Sequence, residues 1–573
     1  MKKLLLLFSA FVFAGTAMSQ VVFSIESPEE IQGAYPLTYT SGADWSSMID
    51  MLDPQNAVLD TLVQYYDETS ADSLGCMVAV NEADLAGKIA VIYRGDCEFG
   101  TKALNAQEAG AIACVIINNQ PGDPIGMGAG ANGPAVSIPT VMITNVAGAA
   151  ITAEMRKGIV TAFIGNKTGY YPNDLGTSNA AVVRPTAFAM NSMLGNTSDD
   201  FEFQPAGWVY NYGFNEQTNV VLKATIEFGG NEIYNETSAT PVTIASEDSA
   251  YFTLPTFSQA TYENGLYSVR YTIESDSSHI DDYTFDNEAT ADFAFNDDLW
   301  SISRVDENLD IVSPGGVRAV GDVFEACLTF RHPNASKVAV KSLTFSAYTS
   351  GNSGMSLDGI PMNVNISRWD NQFTDIDDPQ FNIDQIVELD QVEFFFDGDL
   401  QGENVTAEYN EPIVLIDNQR YLICVSTFEP EVLIGFDGQT LYEETNRLAR
   451  QPINPLVVDG QMSVLGFVSG TVPAFGVNLM DANLVSLKQE KLAINMKAYP
   501  SPASSDVTID FQGYEVKSVE VMSLTGQRVR FQEVALGQAE TVVDVNGLEN
   551  GLYIFNVNLS NGLTKQLNVV VSH

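Results

Sequence analysis

Three histidines, five cysteines and 73 acidic side chains are what this 573-residue chain offers for chemistry. Imidazole is the commonest general base near neutral pH, but His279, His332 and His573 fall in three unrelated stretches. The sequence has no H-E-x-x-H pair to hold zinc, no G-x-S-x-G turn to raise a serine, and no cysteine beside a histidine. His279 and His332 therefore read as surface-loop residues. Carboxylates remain. A glycosidase needs only two of them brought together by the fold, so acid chemistry stays open, above all in residues 297–488.

Two short motifs invite a ligand. Asp397, Asp399, Gln401 and Glu408 occupy positions one, three, five and twelve of a run with Gly402 at six, which is the oxygen spacing of a calcium loop. Phe394, Phe395 and Phe396 precede it and a strand-like run follows, so the flanking helices of an EF-hand are not expected, and Gln401 stands where a carboxylate or Asn is usual. A plain turn between strands is the competing reading. No cofactor other than calcium is suggested. Asp370, Asp375, Asp377 and Asp378 form a second acidic loop with the same two readings. Gly128-x-Gly130-x-x-Gly133 spells the dinucleotide fingerprint, but it follows a polar turn and leads into Pro134. The helix N-terminus that would hold a pyrophosphate is not expected there, and the motif reads as a loop.

Five cysteines in so long a chain do not make a disulfide scaffold. Cys76 is expected to pair with Cys97, and Cys327 (FEACLTF) with Cys424 (YLICVSTF), although spacing alone leaves the connectivity open. Cys114, inside the apolar run ACVII, reads as a buried free thiol.

The elements that must position these residues begin with an address. Lys2 and Lys3, the apolar run Leu4 to Phe13 and Ala17-Met18-Ser19 form a signal peptide over residues 1–19, with cleavage between Ser19 and Gln20. No later stretch reaches the roughly 20 apolar residues of a spanning helix, so no transmembrane segment is expected. Against 27 basic residues the acids leave a net charge of −46. That field repels phosphate backbones and anionic lipid, which makes nucleic acid and bare membrane poor partners. Aromatic content of 10% marks a chain that folds.

Strands alternate with helices only between about Asn81 and Gly165, where LAGKIAVIYRG, TKALNAQEAG, ACVIINN, IPTVMI and VAGAAITAEMRKG predict parallel crossovers. Residues 166–198 are turn-rich and read as a linker. Residues 199–296 alternate without helical stretches, with turns every eight to twelve positions or so, as in an immunoglobulin-like or adhesion-type sandwich. Residues 297–488 suit a jelly-roll-like sandwich of two sheets, and 495–573 a meander of hairpins turning at Thr525-Gly526, Glu549-Asn550-Gly551 and Ser560-Asn561-Gly562. The fold class expected is mainly β and multidomain, with one α/β domain first.

Two of these segments resemble known families. Arg94-Gly95-x-Cys97-x-Phe99, Lys102, Ala109-Gly110-Ala111, Asn118-Asn119 and IPTVMIT give residues 20–165 the look of a protease-associated (PA) domain. The resemblance implies a non-catalytic companion of peptidases or receptors that binds peptide or protein, or controls access to a substrate. Tyr499-Pro500-x-Pro502-Ala503, Leu524-Thr525-Gly526-Gln527-Arg528, Leu548-x-x-Gly551-x-Tyr553 and Lys565 make residues 495–573 resemble the type A C-terminal sorting domain of type IX secretion substrates, with Ser501 where asparagine is usual. That implies Sec export to the periplasm, then passage across the outer membrane by the type IX machinery, commonly with removal of the sorting domain.

The leading functional expectation is a secreted or cell-surface binding or adhesion protein. Its PA domain and sandwiches would engage an extracellular protein, peptide or glycan. The contact residues expected are Arg94, Phe99, Asn119 and Met127, on loops over the PA sheet, where open α/β sheets place ligands. No catalytic residue is expected. The alternative is a divergent PA-associated hydrolase, a peptidase or a carbohydrate-active enzyme, with carboxylates in 297–488. A third reading makes the β modules spacers.

Overall fold

The computed structural model describes residues 21–41, 44–46, 49–68, 73–120, 124–276, 281–319, 321–350, 354–467, 471–485, 496–524, 526–560 and 564–573. The signal peptide with its Ser19–Gln20 cleavage point, His279, Thr525 and Asn561-Gly562 lie outside them. The chain divides into two compact units, residues 1–335 with 340–479, and residues 480–573 with 336–339. It is mainly β and multidomain.

The first module is an eight-stranded mixed sheet. Its elements are β1 (Val21–Ser27), β2 (Gly33–Ala34), β3 (Leu37–Tyr39), β4 (Val58–Gln64), α1 (Glu82–Leu85), β5 (Ile89–Tyr93), α2 (Phe99–Glu108), β6 (Ala113–Ile117), β7 (Thr140–Ile143), α3 (Asn145–Met155) and β8 (Thr161–Asn166). The order is β2-β1-β8-β4-β5-β6-β7-β3, with β4 to β7 parallel and both flanks antiparallel. The continuous apolar runs explain the middle: every residue of β6 and β7 is buried, as parallel strands covered on both faces require. Helix α2 turns Gly100, Lys102, Ala103 and Ala106 inward, and Gly110, at φ +82°, ends the turn that follows.

The next module continues without a connector. It comprises β9 (Leu175–Gly176), β10 (Ala189–Asn191), β11 (Ala206–Asn211), β12 (Gln217–Phe228), β13 (Asn231–Thr237), β14 (Val242–Ile244), β15 (Ser249–Thr253), β16 (Gly265–Glu274), β17 (Glu288–Thr290) and β18 (Phe293–Asn296). One sheet runs β10-β18-β16-β12-β13 and a second β15-β11-β9. The expected linker 166–198 is thereby corrected: Gly176 pairs with Tyr210, and Ala189 pairs in parallel with Ala294. These strands have two and three residues, too short to carry a period. Phe201, Tyr262, Tyr267, Phe293 and Phe295 pack as one aromatic cluster between the sheets, with ring centroids 4.8 to 6.2 Å apart.

Farther along, a six-stranded sheet orders Ile386–Phe395, Pro361–Trp369, Arg420–Thr427, Phe324–Phe330, Leu456–Val458 and Gln461–Ser463. Cys327 lies directly opposite Cys424 in antiparallel register and is disulfide-bonded to it. The last module has two small sheets, one of Lys497–Tyr499, Asp506–Asp510 and Glu540–Asp544, the other of Arg528–Glu533, Val516–Ser523, Gly551–Leu559 and Thr564–Val571. Val507, Ile509, Val519, Val521, Phe555 and Val557 fill the space between them.

Candidate functional site

The parallel strands β5 and β6 end at Tyr93 and Ile117, so Arg94 and Asn118 follow side by side at the carboxyl edge of the sheet. The Arg94 guanidinium donates to Asn118 Oδ1 at 2.9 Å, and burial lowers its pKa from the ordinary arginine value. Of the four expected contact residues, Asn119 is exposed and Arg94 half-buried. Phe99 begins α2 and packs against the core formed by Ala103, Ala106 and Cys114. Met127 belongs to that core, only 8% exposed, and what it presents is its carbonyl, which accepts from Trp45 Nε1 at 2.9 Å. Its side chain packs within that core.

Beneath the same turn Cys76 is disulfide-bonded to Cys97. Lys102 runs inward from α2 and is fully buried, its ammonium donating to the Leu74 carbonyl at 2.5 Å and lying 3.6 Å from Cys76 Sγ. Burial lowers its pKa to about 8, against the attraction of Asp67 and Asp96. Cys114 is a free, buried thiol whose pKa burial pushes up to about 12. The glycines of the false dinucleotide motif serve packing. A Cβ on Gly130 would meet Glu98 Oε2 at 2.2 Å, and Glu98 Oε2 accepts from the Ala131 amide. Gly100 of α2 stands where a Cβ would touch the Ala129 carbonyl. The loop is thus pressed against the start of α2.

The module's cavity lies elsewhere. Thr40 pairs with the start of β7, its amide donating to the Thr140 carbonyl. There a hollow of about 320 Å³ opens among Tyr39, Thr40, Ser41, Trp45, Ile49, Asp50, Met51, Val136 and Ile138. Apolar rings and methyls line it, while Ser41 and Asp50 are exposed at its rim. None of the four expected contact residues lines it. Residues 39–52 carry no motif and no period; a tryptophan in a loop is the single sequence signal that could have marked them. Strand β3, which leads into the hollow, stands last in the sheet order and, among the described residues, pairs only with β7.

The acidic loops resolve into turns. Asp399 Oδ1 accepts from the Leu357 amide at 2.9 Å and from Gln401 Nε2 at 2.8 Å, while Gln401 Oε1 accepts from the Thr349 amide. Asp397 is exposed, and Glu408 sits within the strand Val405–Val414. Asp399 and Gln401 thus bind neighbouring loops. Asp370 pairs with Arg368, Asp377 with Arg450, and Asp378 accepts from the Thr374 amide. Among the described residues, one group of three metal-type side chains converges, Glu325 with Cys327 and Cys424, and both of those sulfurs are in the disulfide. His332 Nδ1 accepts from the Asn334 amide.

Comparison with known proteins matches the same two segments. The PA domain family matches residues 58–151, and the secretion system C-terminal sorting domain family matches residues 497–572. The chain carries a PA domain and a type IX secretion C-terminal sorting domain, and it is exported through the periplasm to the outer cell surface or the medium. It is 39% identical over 92 residues to the "Probable leucine aminopeptidase 2" of Aspergillus fumigatus, 16% of this chain and 18% of that one. Over 75 residues it is 39% identical to the Minor extracellular protease Vpr of Bacillus subtilis, 13% of this chain and 9% of that one. The chain thus spans less than a fifth of the length of either relative. Among solved structures, an aminopeptidase from Aneurinibacillus sp. strain AM-1 is 28% identical over 26% of this chain and 31% of its own, with a TM-score of 0.19. Among the described residues no helix is long and apolar enough to cross a membrane.

Proposed function

We propose that the protein is a secreted or surface-held binding protein whose PA domain captures an extended stretch of extracellular peptide. The observation that carries this reading is the hollow of about 320 Å³ beside β3. An edge strand offers backbone donors and acceptors to an added strand, and a neighbouring pocket then selects a side chain. Tyr39, Trp45, Met51 and Ile138 suit an apolar side chain, and Ser41 and Asp50 can meet the polar backbone beside it. The named peptidases share with this chain a PA-sized segment only, which fits a recognition role apart from catalysis.

The test uses the mature full-length protein with fluorescent peptides and labelled casein. Saturable anisotropy without cleavage is expected. Ser41→Trp, a change at an exposed rim position, should weaken binding at least about tenfold by filling the pocket that excludes water from the contact. Turnover of casein that persists through repeated purification would sink the reading.

A further inference from the structure

The rim of the hollow beside β3 carries charge of one sign. Between Tyr39 and Asn56 the sequence holds Asp44, Asp50 and Asp53 and no lysine, arginine or histidine. All three aspartates are exposed. Among the described residues that line the hollow, none is basic, and Asp50 is one of them. Asp50 Oδ1 accepts from the Leu52 amide at 2.9 Å, which holds the carboxylate at the mouth. Among the described residues no hydrogen bond occupies its Oδ2. Its charge is felt inside: burial first, and then the Asp50 carboxylate, raises the pKa of the Tyr39 phenol on the wall.

The strand edge fixes how a peptide would meet this rim. Thr40 donates to the Thr140 carbonyl, and Tyr39 stands opposite Val141. In an antiparallel ladder bonded and non-bonded pairs alternate, so the Tyr39 amide and carbonyl point to the outer edge. A strand added there, with one side chain in the hollow, presents the side chains two positions before and after on the same face. These lie about 7 Å to either side, within the reach of a lysine or arginine from the rim.

We propose that the hollow selects cationic segments: an apolar side chain enters among Tyr39, Trp45, Met51 and Ile138, and a lysine or arginine two positions away pairs with Asp50. The proposal rests on the peptide-capture reading above and adds a specificity to it. An acidic segment meets repulsion from Asp50 at the mouth and from Asp44 and Asp53 nearby, so the rim rejects as well as attracts. The pair at Asp50 is open to solvent and contributes modestly; what it supplies is discrimination by sign.

Three fluorescent peptides, Thr-X-Thr-Leu-Thr-X-Thr with X as lysine, glutamine or glutamate and both ends blocked, provide the test by anisotropy on the mature full-length protein. The symmetric placement makes the result independent of the direction in which the strand runs. At low salt the lysine peptide should bind about fivefold tighter than the glutamine peptide, and the glutamate peptide about fivefold more weakly. The spread should narrow to about twofold at high salt. Asp50→Asn keeps an oxygen for the Leu52 amide, so it should melt as the wild type does and bind the glutamine peptide unchanged. In that variant the lysine peptide should fall to within about twofold of the glutamine peptide. Equal affinity for the three peptides overturns the proposal while leaving peptide capture standing. So does a lysine preference that survives Asp50→Asn, which would assign it to the chain's overall charge of −46. No binding of any of the three would sink peptide capture itself and the proposal with it.

Discussion

Lys102 and the Lys167 cluster solve the same problem in different ways. Lys102 is a lone ammonium satisfied by a carbonyl, so truncation to Ala leaves the Leu74 oxygen and a cavity behind. We expect Lys102→Ala to lower stability by about 2–4 kcal/mol, and the volume-preserving Lys102→Met by about 1–2 kcal/mol. Urea denaturation midpoints check this; equal losses would mean that the charge, not the packing, is what α2 needs. At the second cluster two carboxylates crowd one ammonium. Lys167 Nζ lies 2.6 Å from Asp174 Oδ1 and 2.7 Å from Asp286 Oδ2; burial first, and then repulsion from Asp286 at Asp174 and from Asp281 at Asp286, pushes Asp174 up to about 7 and Asp286 up to about 6, despite Lys167. The surrounding titratable groups are Asp281, Tyr171, Tyr212 and Tyr283. A carboxyl whose folded pKa lies above its ordinary 3.8 binds its proton more readily in the native state, so stability falls as pH rises from about 4 to about 7. Carboxylates held low by their hydrogen bonds, such as Asp60 and Asp297, act oppositely, losing stability as pH falls below their ordinary range. Comparing melting temperatures of the wild type and Asp174→Asn at pH 5 and pH 8 isolates the first effect. The wild type should lose more between the two values than the variant.

At the scale of elements, legibility followed length and burial. The five-residue run ACVII announced β6 because a parallel strand covered on both faces must be apolar throughout. Alternation announced Gly551–Leu559 because one of its faces is buried and the other is not. Strands β9 and β10 escaped notice: two or three residues carry no period, and their partners lie far along the chain at Tyr210 and Ala294. The calcium-like spacing 397–408 shows a related limit of reading by pattern. Spacing fixes a ring of ligands only on the loop that an EF-hand's helices hold, and here a strand begins at Val405 and carries Glu408 away as part of a ladder. The hollow beside β3 stayed invisible because Tyr39, Trp45, Ile49 and Met51 meet Val136 and Ile138 only in three dimensions. Of the Cys pairs, Cys327–Cys424 ties neighbouring strands at opposed positions across a separation of 97 residues. Chain-entropy arguments put the loss for Cys327→Ala with Cys424→Ala at about 4–5 kcal/mol, against about 3 kcal/mol for the shorter Cys76–Cys97 loop. Guanidinium unfolding of the two double variants should rank them in that order.

The molecule as a whole is a body with an address. Residues 496–573 have their own apolar core, from Met496 and Ala503 to Val569 and Val571, so the sorting module should fold without the remainder of the chain. Its role in export is separable in the same sense. A chain ending before Lys497 keeps every residue of the PA domain and of the hollow beside β3, and should therefore fold and bind as before while losing its passage across the outer membrane. We expect such a truncation to accumulate in the periplasm of a type IX-competent host, and the full-length protein to reach the surface or the medium. Conversely, residues 496–573 fused behind a periplasmic fluorescent protein should carry it outside. Protease shaving of intact cells with immunoblotting of periplasmic and external fractions reads both arms. Surface exposure of the truncated chain, or periplasmic retention of the fusion, would mean that the signal for translocation lies in the body and that the C-terminal module serves another end. The charge of −46 gives the experiment a built-in control: a chain this acidic is repelled by anionic lipid and polysaccharide, so material found on the surface at low ionic strength is held there by a specific attachment and not by adsorption.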